Sequence, residues 1–437
     1  MRSIAIGLLG AGNVGGGVVR ILQDNRESIE RRLGARVVVK RVLVRAMDKL
    51  RDVEIPAELL TTNPADVLDD PDIRVVVELI GGLEPARAHV LAALRHGKHV
   101  VSANKALFAT HGEELFTVAA QHGVLVNIEA AVAGGIPILR SLREGLASDR
   151  IEAVTGIVNG TSNYILDAMT RSGLRYEDAL AQAQKHGYAE ADPTLDVEGG
   201  DAAQKLALLA LFAFGLRIDP ERIPTEGITR VRPFDIATAH ELGYVIKSLA
   251  VARMEPQGVR MRVHPAFVPE DAVLAGVHGS YNAILVESHA LGRSLYYGRG
   301  AGMMPTGMSV VSDIIEVCRS VLAFAGGGGP KRWPFANVPV VEPLPLADER
   351  FENYLCVHVP NVPGVLGRVA SALGRHGVSI KRMNQDTPGP GEAIDMVILT
   401  EAVEESKLEA ALHELDRFDD VLAPTHRFRM LAPDPVE

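Results

Sequence analysis

At 437 residues the chain is long enough for roughly two to four domains. Its 47% apolar and 23% charged residues describe a soluble globular protein, and a formal net charge of −10 argues against nucleic acid or an anionic membrane as a partner. Two distant cysteines, Cys318 and Cys356, make neither a disulfide framework nor a zinc site and fit a reducing cytoplasm. The apolar start MRSIAIGLLGAG is broken at once by glycines, so it reads as a first strand rather than a signal peptide. The longest apolar helical run, 206–216, is too short to span a bilayer.

Residues 1–135 alternate strand-like and helix-like segments. Strands are predicted at 4–9, 37–44, 75–80, 99–102 and 124–129, and helices at 14–24, 85–96 and 113–122. This alternation predicts an α/β domain with a parallel sheet covered on both sides, and unbroken runs such as VVVELI fit strands buried on both faces. Over 136–300 the pattern changes to an α+β domain whose mixed sheet also offers a subunit contact. Its strand-like or apolar runs are 151–158, 228–232, 244–253, 259–268 and 281–288, and its helices 164–172 and 201–214. A helix over 305–325 is expected to pack back on the first domain, which it rejoins through 301–322. Residues 326–350 hold four consecutive glycines and many prolines and read as a linker, docked through Trp333. The last unit, 351–437, runs strand 354–359, helix 365–376, strands 378–384 and 393–400, helix 404–415 and strand 421–430, the ferredoxin-like βαββαβ plan.

Leu9-Gly10-Ala11-Gly12-Asn13-Val14-Gly15 is a G-x-G-x-x-G loop between the first strand and its helix. Gly10 permits the tight turn, Gly12 lets a pyrophosphate approach the backbone, and Gly15 lets helix and strand pack closely, as in a Rossmann domain. Free N–H groups near Asn13 and Val14 would bind phosphate oxygens. At the end of the second strand stands Arg45, with Asp48 and Lys49 beyond. An arginine there suits the 2′-phosphate of NADP, with some use of NAD.

Residues 183–205 read AQKHGYAEADPTLDVEGGDAAQK and bring Glu190, Asp192, Asp196, Glu198 and Asp201 ahead of Lys205. Asp201 and Lys205 lie four apart on one helix and share a face. Lys205 leads into LALLALFAF, so it is expected to be partly desolvated and adjustable in its proton affinity. Interleaved Gly187, Pro193, Gly199 and Gly200 fix the backbone, and such a carboxylate cluster suits a substrate with an ammonium group.

The spacing Gly187-Tyr188-Ala189, Asp192-Pro193, Asp196-Val197, Gly199, Asp201, Lys205 resembles the motif of homoserine dehydrogenases. Ser102-Ala103-Asn104-Lys105, Asn159-Gly160-Thr161-Ser162-Asn163-Tyr164 and Gly298-Arg299-Gly300-Ala301-Gly302 resemble them too, so the likeness covers residues 1–322 in order. It implies reversible NAD(P)H-dependent reduction of L-aspartate 4-semialdehyde to L-homoserine, on the route to threonine and methionine. By this resemblance Lys205 is the acid–base residue, and Asp201 orients it or holds the substrate. Glu190 binds the substrate ammonium with Asp196 in support, and Gly160, Thr161 and Tyr188 line the pocket. Lys105 lies between cofactor and substrate and competes for the proton transfer, while Gly302 joins the cofactor-binding set. The segment from Glu129 to Pro137 resembles the family hinge, where backbone carbonyls matching Glu129, Val132, Gly134 and Ile136 hold a monovalent cation, usually sodium. A homo-oligomer, dimer or tetramer, is expected.

Residues 354–430 resemble an ACT domain through Val359-Pro360-Asn361-Val362-Pro363-Gly364-Val365-Leu366. Asn361 stands where that family usually has Asp. The resemblance implies feedback inhibition by L-threonine, with the backbone of Gly364 and Val365 meeting a carboxylate; the other reading is a purely structural pairing module. Two further readings of the whole chain stay open: a non-catalytic sensor of nicotinamide and amino acid, and a dehydrogenase of another amino-acid semialdehyde.

Overall fold

The computed structural model describes residues 2–323, 338–385 and 392–432. Six parallel strands open the chain: β1 (Ser3–Leu9), β2 (Arg36–Leu43), β3 (Leu60–Thr61), β4 (Ile73–Glu78), β5 (His99–Ser102) and β6 (Val126–Asn127). Their order across the sheet is β3-β2-β1-β4-β5-β6, so the winding reverses between β1 and β4. Ile6, Leu8, Val75, Val76 and Val77 lose all solvent contact, which is why these strands read as continuous apolar runs. This is the Rossmann-type topology, and the reversal leaves a crevice beyond the carboxyl ends of β1 and β4.

Strand β6 stops after two residues where a strand through 129 is expected, because Glu129–Ala131 winds into a 3-10 turn. The helix expected at 113–122 already begins at Lys105, since the Asn104 side chain accepts from Leu107 N at 3.2 Å and caps it. Helices Arg26–Leu33 and Tyr176–Lys185 carry too few buried residues to betray their period in sequence.

The second sheet contains β7 (Ile151–Ile157), β8 (Tyr244–Glu255), β9 (Gly258–Pro269), β10 (Tyr281–Ser288), β11 (Gly292–Arg299), β12 (Arg350–Pro360), β13 (Ile380–Gln385), β14 (Ala393–Thr400), β15 (Val403–Glu404) and β16 (His426–Met430). It runs β11-β10-β7-β8-β9-β16-β12-β14-β13, with β15 beside β12. The part β16-β12-β14-β13, with helices Val365–Arg375 and Glu405–Leu415, is the ferredoxin-like ACT plan. It does not stand alone: β16 pairs parallel with β9, Arg429 opposite Ala266 and Met430 opposite Phe267. Phe267 stacks on Tyr354 and Phe428, with ring centroids at 4.6 and 5.5 Å, so the central and C-terminal units share one sheet and one core.

The apolar run 228–232 is not a strand. Ile228 and Val231 are buried, but the chain turns there and Pro233 opens the helix Pro233–Glu241. Conversely β11 is a strand without an apolar run, because it lies at the sheet edge and alternates exposed with half-buried residues. Residues 324–337 lie outside the described residues, and with them the four glycines, Trp333 and the last two positions of the helix expected to end at 325. From 338 onward the expected linker is tied down: Arg217 N donates to Pro339 O at 3.0 Å, Val341 N to Arg217 O at 2.9 Å, and Leu344 N to Val259 O at 2.8 Å.

Helix Met303–Ala323 returns to the first sheet and lies on helix Asn13–Asp24. The contact is backbone to backbone. A Cβ on Gly17 would lie 2.2 Å from Met303 O, and one on Gly307 2.9 Å from the Gly17 carbonyl carbon. Gly17→Ala must therefore push the two helices apart. We expect a loss of about 1–3 kcal/mol of stability, read as a lower urea midpoint; an unchanged midpoint would mean that the helices separate without cost.

Candidate active site

The glycine loop forms the floor of the crevice. Gly10 has φ +108°, its N–H donates to Leu43 O at 3.0 Å, and a Cβ on it would lie 2.8 Å from Leu79 O. A Cβ on Gly15 would lie 2.5 Å from Gly10 O, so helix and turn meet at glycine-only distance. Gly12 precedes the helix without any side-chain cap, so no side chain occupies the first-turn N–H groups of Asn13 and Val14. A cavity of about 470 Å³ opens here, lined among others by Gly12, Arg45, Lys49, Leu79 and His89. Arg51 also lines it; its guanidinium donates to Ala46 O at 2.6 Å and Lys49 O at 2.9 Å and so shapes the basic loop after β2. The only sequence signal for Arg51 is the density of basic residues between 45 and 51. Gly302, with φ +121°, starts the returning helix by accepting from Thr306 N at 3.1 Å, and its neighbour Met303 lines a small cavity beside Gly12 and Asn13.

A second set of groups fixes the far wall. Glu78 is fully buried at the end of β4. It accepts from Ile80 N at 2.8 Å, Gly81 N at 3.2 Å and Ser102 Oγ at 2.7 Å. Asn104 N donates to Ser102 Oγ at 3.0 Å, and Asn104 Nδ2 to Gly82 O at 2.7 Å. This network locks the loops after β4 and β5 and presents Lys105 at the first position of its helix. Nothing in the apolar run VVVELI marks Glu78 as an organiser, because it joins its own following loop to Ser102 on another strand.

Asp201, in the first turn of helix Gly200–Phe214, is the centre of the site. Lys205 Nζ donates to its Oδ2 at 2.6 Å and to Val158 O at 2.8 Å. Lys105 Nζ lies 3.1 Å from its Oδ1. Asn159 Nδ2 donates to Asp201 Oδ2 at 2.8 Å and to Asp196 Oδ1 at 2.7 Å. Burial alone would raise the Asp201 carboxyl, but the Lys205 and Lys105 charges and the hydrogen bonds from Lys205 and Asn159 hold it down at about 2. Burial, with the Asp201 charge nearby, raises Asp196. The Lys205 side chain is only 13% exposed and that of Lys105 32%, so both amines face a partly dry space.

Around this centre Thr161 Oγ1 donates to Tyr188 O at 2.6 Å. Gly160 approaches the 277–281 turn, where a Cβ would meet Ser280 O at 2.8 Å. Tyr188 is exposed and its ring packs on Tyr164 at 4.7 Å. Glu190 is exposed, and its carboxylate is outside the hydrogen-bonded set that joins Asp196, Asn159 and Asp201. Asn282 Nδ2 donates to Val158 O at 2.9 Å, the same carbonyl that receives Lys205, and no motif in the sequence ties these residues together.

The hinge from Glu129 to Ile136 is irregular backbone. Ala133 and Gly134 have successive positive φ values of 52° and 48°, and a Cβ on Gly134 would lie 2.3 Å from Gly300 O. Glu129 O accepts from Val132 N at 3.3 Å and Ile136 O from Ile138 N at 2.8 Å. The buried Glu129 carboxylate accepts from Leu139 N at 2.9 Å and Arg140 N at 2.7 Å, and burial raises it to about 7. Asp313, which accepts from Glu129 N at 2.8 Å, is raised to about 8 by burial and by the Glu129 charge.

In the C-terminal unit a cavity of about 380 Å³ is lined by Asn361, Gly364, Val365, Gln385, Ile394 and Met396. Gln385 Nε2 donates to Asn361 Oδ1 at 3.2 Å, and Gly364 sits at φ +91° immediately before helix Val365–Arg375.

Three family descriptions match the chain: homoserine dehydrogenase, NAD binding domain, over residues 10–129; homoserine dehydrogenase over 137–315; and ACT domain over 354–417. The homoserine dehydrogenase of Bacillus subtilis is 40% identical over 434 residues, covering 98% of this chain and 99% of its own length. That of Synechocystis is 43% identical over 429 residues, covering 96% and 97%. A crystal structure of a homoserine dehydrogenase from Thiobacillus denitrificans matches with a TM-score of 0.90 at 45% identity and covers 99% of both chains. A non-catalytic sensor and a dehydrogenase of another semialdehyde are thereby set aside. The chain belongs to the homoserine dehydrogenase family, as an NAD(P)-dependent oxidoreductase with a C-terminal ACT domain.

Proposed function

We propose that Lys205 is the acid–base group for the reversible conversion of L-aspartate 4-semialdehyde to L-homoserine, the reaction of this family. The observation that carries this reading is the Asp201 carboxylate shared between Lys205 and Lys105, one oxygen to each amine. An ammonium has three donors. Lys205 spends two on Asp201 and Val158, which leaves the third for the substrate oxygen at C4. There it stabilises a developing alkoxide and delivers a proton in reduction, or removes one in homoserine oxidation. Asp201 stays ionised, orients Lys205 and keeps Lys105 at the same spot. Asp196 and Glu190 meet the substrate ammonium, and Gly160, Thr161 and Tyr188 line the pocket. The nicotinamide supplies the hydride when bound. Lys205→Ala is expected to lower kcat at least ~100-fold while cofactor binding, followed by fluorescence, survives. Near-normal turnover in that variant would assign the proton to Lys105.

For the cofactor, Gly10, Gly12, Asn13, Val14 and Gly15 hold the pyrophosphate, with Lys105 and Gly302 toward the nicotinamide end. Arg45, exposed at the crevice rim with Lys49 and Arg51 beside it, meets a 2′-phosphate, so NADP is preferred and NAD accepted. Arg45→Ala should raise the KM for NADP about tenfold and leave that for NAD nearly unchanged; equal values for both enzymes would remove Arg45 from this role.

The carbonyls of Glu129, Val132, Gly134 and Ile136 suit a sodium ion. The left-handed pair Ala133–Gly134 folds the segment back, and the Glu129 and Ile136 carbonyls each keep a lone pair beyond their one backbone hydrogen bond. A homo-oligomer fits the edge strand β11, which leaves Leu295 and Tyr297 exposed. A cytoplasmic setting fits two free, buried cysteines, and among the described residues no helix is long and apolar enough to cross a membrane.

The ACT unit takes L-threonine in the cavity at Asn361, with the carboxylate of this effector on the N–H groups of Gly364 and Val365. Because β16 is hydrogen-bonded into the central sheet, removing the unit would expose β9, so the test uses the full chain. Asn361→Ala should shift the threonine concentration for half-inhibition upward about tenfold. Superposed inhibition curves, or no inhibition of the wild type, would leave the unit a structural role.

A further inference from the structure

One buried amide touches both carboxylates of the site. Asn159 precedes helix Gly160–Ser172 with extended backbone (φ −115°, ψ 113°), and its Oδ1 accepts from Ser162 N at 2.8 Å. This cap decides which end of the amide faces inward, because the oxygen already serves a backbone donor. The two Nδ2 hydrogens are then spent one each, on Asp196 Oδ1 at 2.7 Å and Asp201 Oδ2 at 2.8 Å. The oxygen of Asp201 that receives Asn159 also receives Lys205, and the other oxygen faces Lys105.

Without such a donor the two acids would repel across a dry gap, and the Asp201 carboxylate could turn about its Cβ–Cγ bond. A neutral amide offsets the repulsion while leaving the negative potential that attracts a substrate ammonium; an arginine at 159 would cancel it.

We propose that Asn159 is a positioning residue that fixes the Asp201 carboxylate so that one oxygen serves Lys205 and the other Lys105, and that aims Asp196 into the substrate pocket. This rests on the reading that Lys205 and Asp201 carry the acid–base step.

Two substitutions separate this role from helix capping, since Ser and Asp are both good caps. Asn159→Ser keeps a cap oxygen and has too few donors for both acids. Asn159→Asp keeps shape and cap, has no donor, and adds a negative charge beside both lysines. In both, with the thermal midpoint as the check on folding, kcat for homoserine oxidation should fall about 10- to 100-fold, the loss of a hydrogen bond to a charged group. The KM for the cofactor should not change. In Asn159→Asp the ascending limb of kcat/KM against pH should also move to higher pH, because the added carboxylate favours the ammonium forms of Lys205 and Lys105 facing Asp196 and Asp201. Wild-type kcat in a folded Asn159→Ser, or a wild-type pH limb in a folded Asn159→Asp, overturns the proposal. Failure of both variants to fold overturns it too, in favour of a purely structural role for the amide's bonds to the two acids. Wild-type turnover in Lys205→Ala would instead remove the reading beneath it, whereas an inactive Lys205→Ala beside a fully active Asn159→Ser removes the proposal alone.

Discussion

A single carboxylate, Asp201, holds two parts of this protein at a fixed distance. Lys105 begins a helix that follows β5 of the dinucleotide-binding sheet, while Lys205 stands on the helix that enters the central core. Both amines meet Asp201, whose side chain is only 5% exposed. An isolated carboxylate at that depth would be neutral; two ammonium groups and an amide keep it charged. Taking away one partner of a buried ion pair costs about 3–5 kcal/mol, so crevice width and charge state are set by the same contact. The backbone seam of Gly17 against Met303 and the approach of the left-handed Gly134 to Gly300 add further close contacts between the segments around 300 and the rest of the chain.

The ACT unit is joined to the same machinery by more than a tether. Its last strand extends the central sheet through β9. Arg429 Nη1 donates to Glu226 Oε1 at 2.6 Å, and Arg427 Nη1 to Glu405 Oε1 at 2.7 Å, an interlocked set of charges at the seam. Beyond Glu226 the chain lies on the approach to the Asp201 helix: Ile228 N donates to Val197 O at 2.8 Å and Thr229 Oγ1 to Glu198 Oε1 at 3.1 Å. A Cβ on Gly227 would lie 2.6 Å from Val197 O, so this loop can hardly shift without moving the residues between Asp196 and Asp201. The C-terminal unit thus reaches the segment that carries Asp196 and Asp201 through directly packed residues.

Much of the fold is legible in the residues because local rules act on contiguous stretches. The parallel strands show as apolar runs, the loop at Gly10, Gly12 and Gly15 marks the crevice, and the βαββαβ alternation marks the last unit. The misjudged segments share a cause. Ile228 and Val231 are apolar because a turn buries them, while β11 is a strand held by one neighbour and so carries no apolar signal. Strand β6 ends early where the chain turns at Glu129–Ala131, and there the Glu129 carboxylate accepts from Leu139 N and Arg140 N, partners distant in sequence.

The candidate site divides along the same line. The spacing of Asp201 and Lys205 is a helical i,i+4 relation, so the sequence by itself determined that these two side chains share a face, and that a lysine would lead into a buried helix. It also determined the glycine turn and the basic residues after the second strand, since these depend on neighbours in the chain. Only the tertiary structure decided that Lys105, nearly a hundred residues away, meets the free oxygen of Asp201, and that Asn159 divides its amide between two acids. It alone buried Glu78 as the organiser of two loops, left Glu190 exposed, and ran the ACT strand into the central sheet. The physical reason is range: turn and helix geometry act over a few residues, whereas desolvation and ion pairing act on whatever the packed chain brings together.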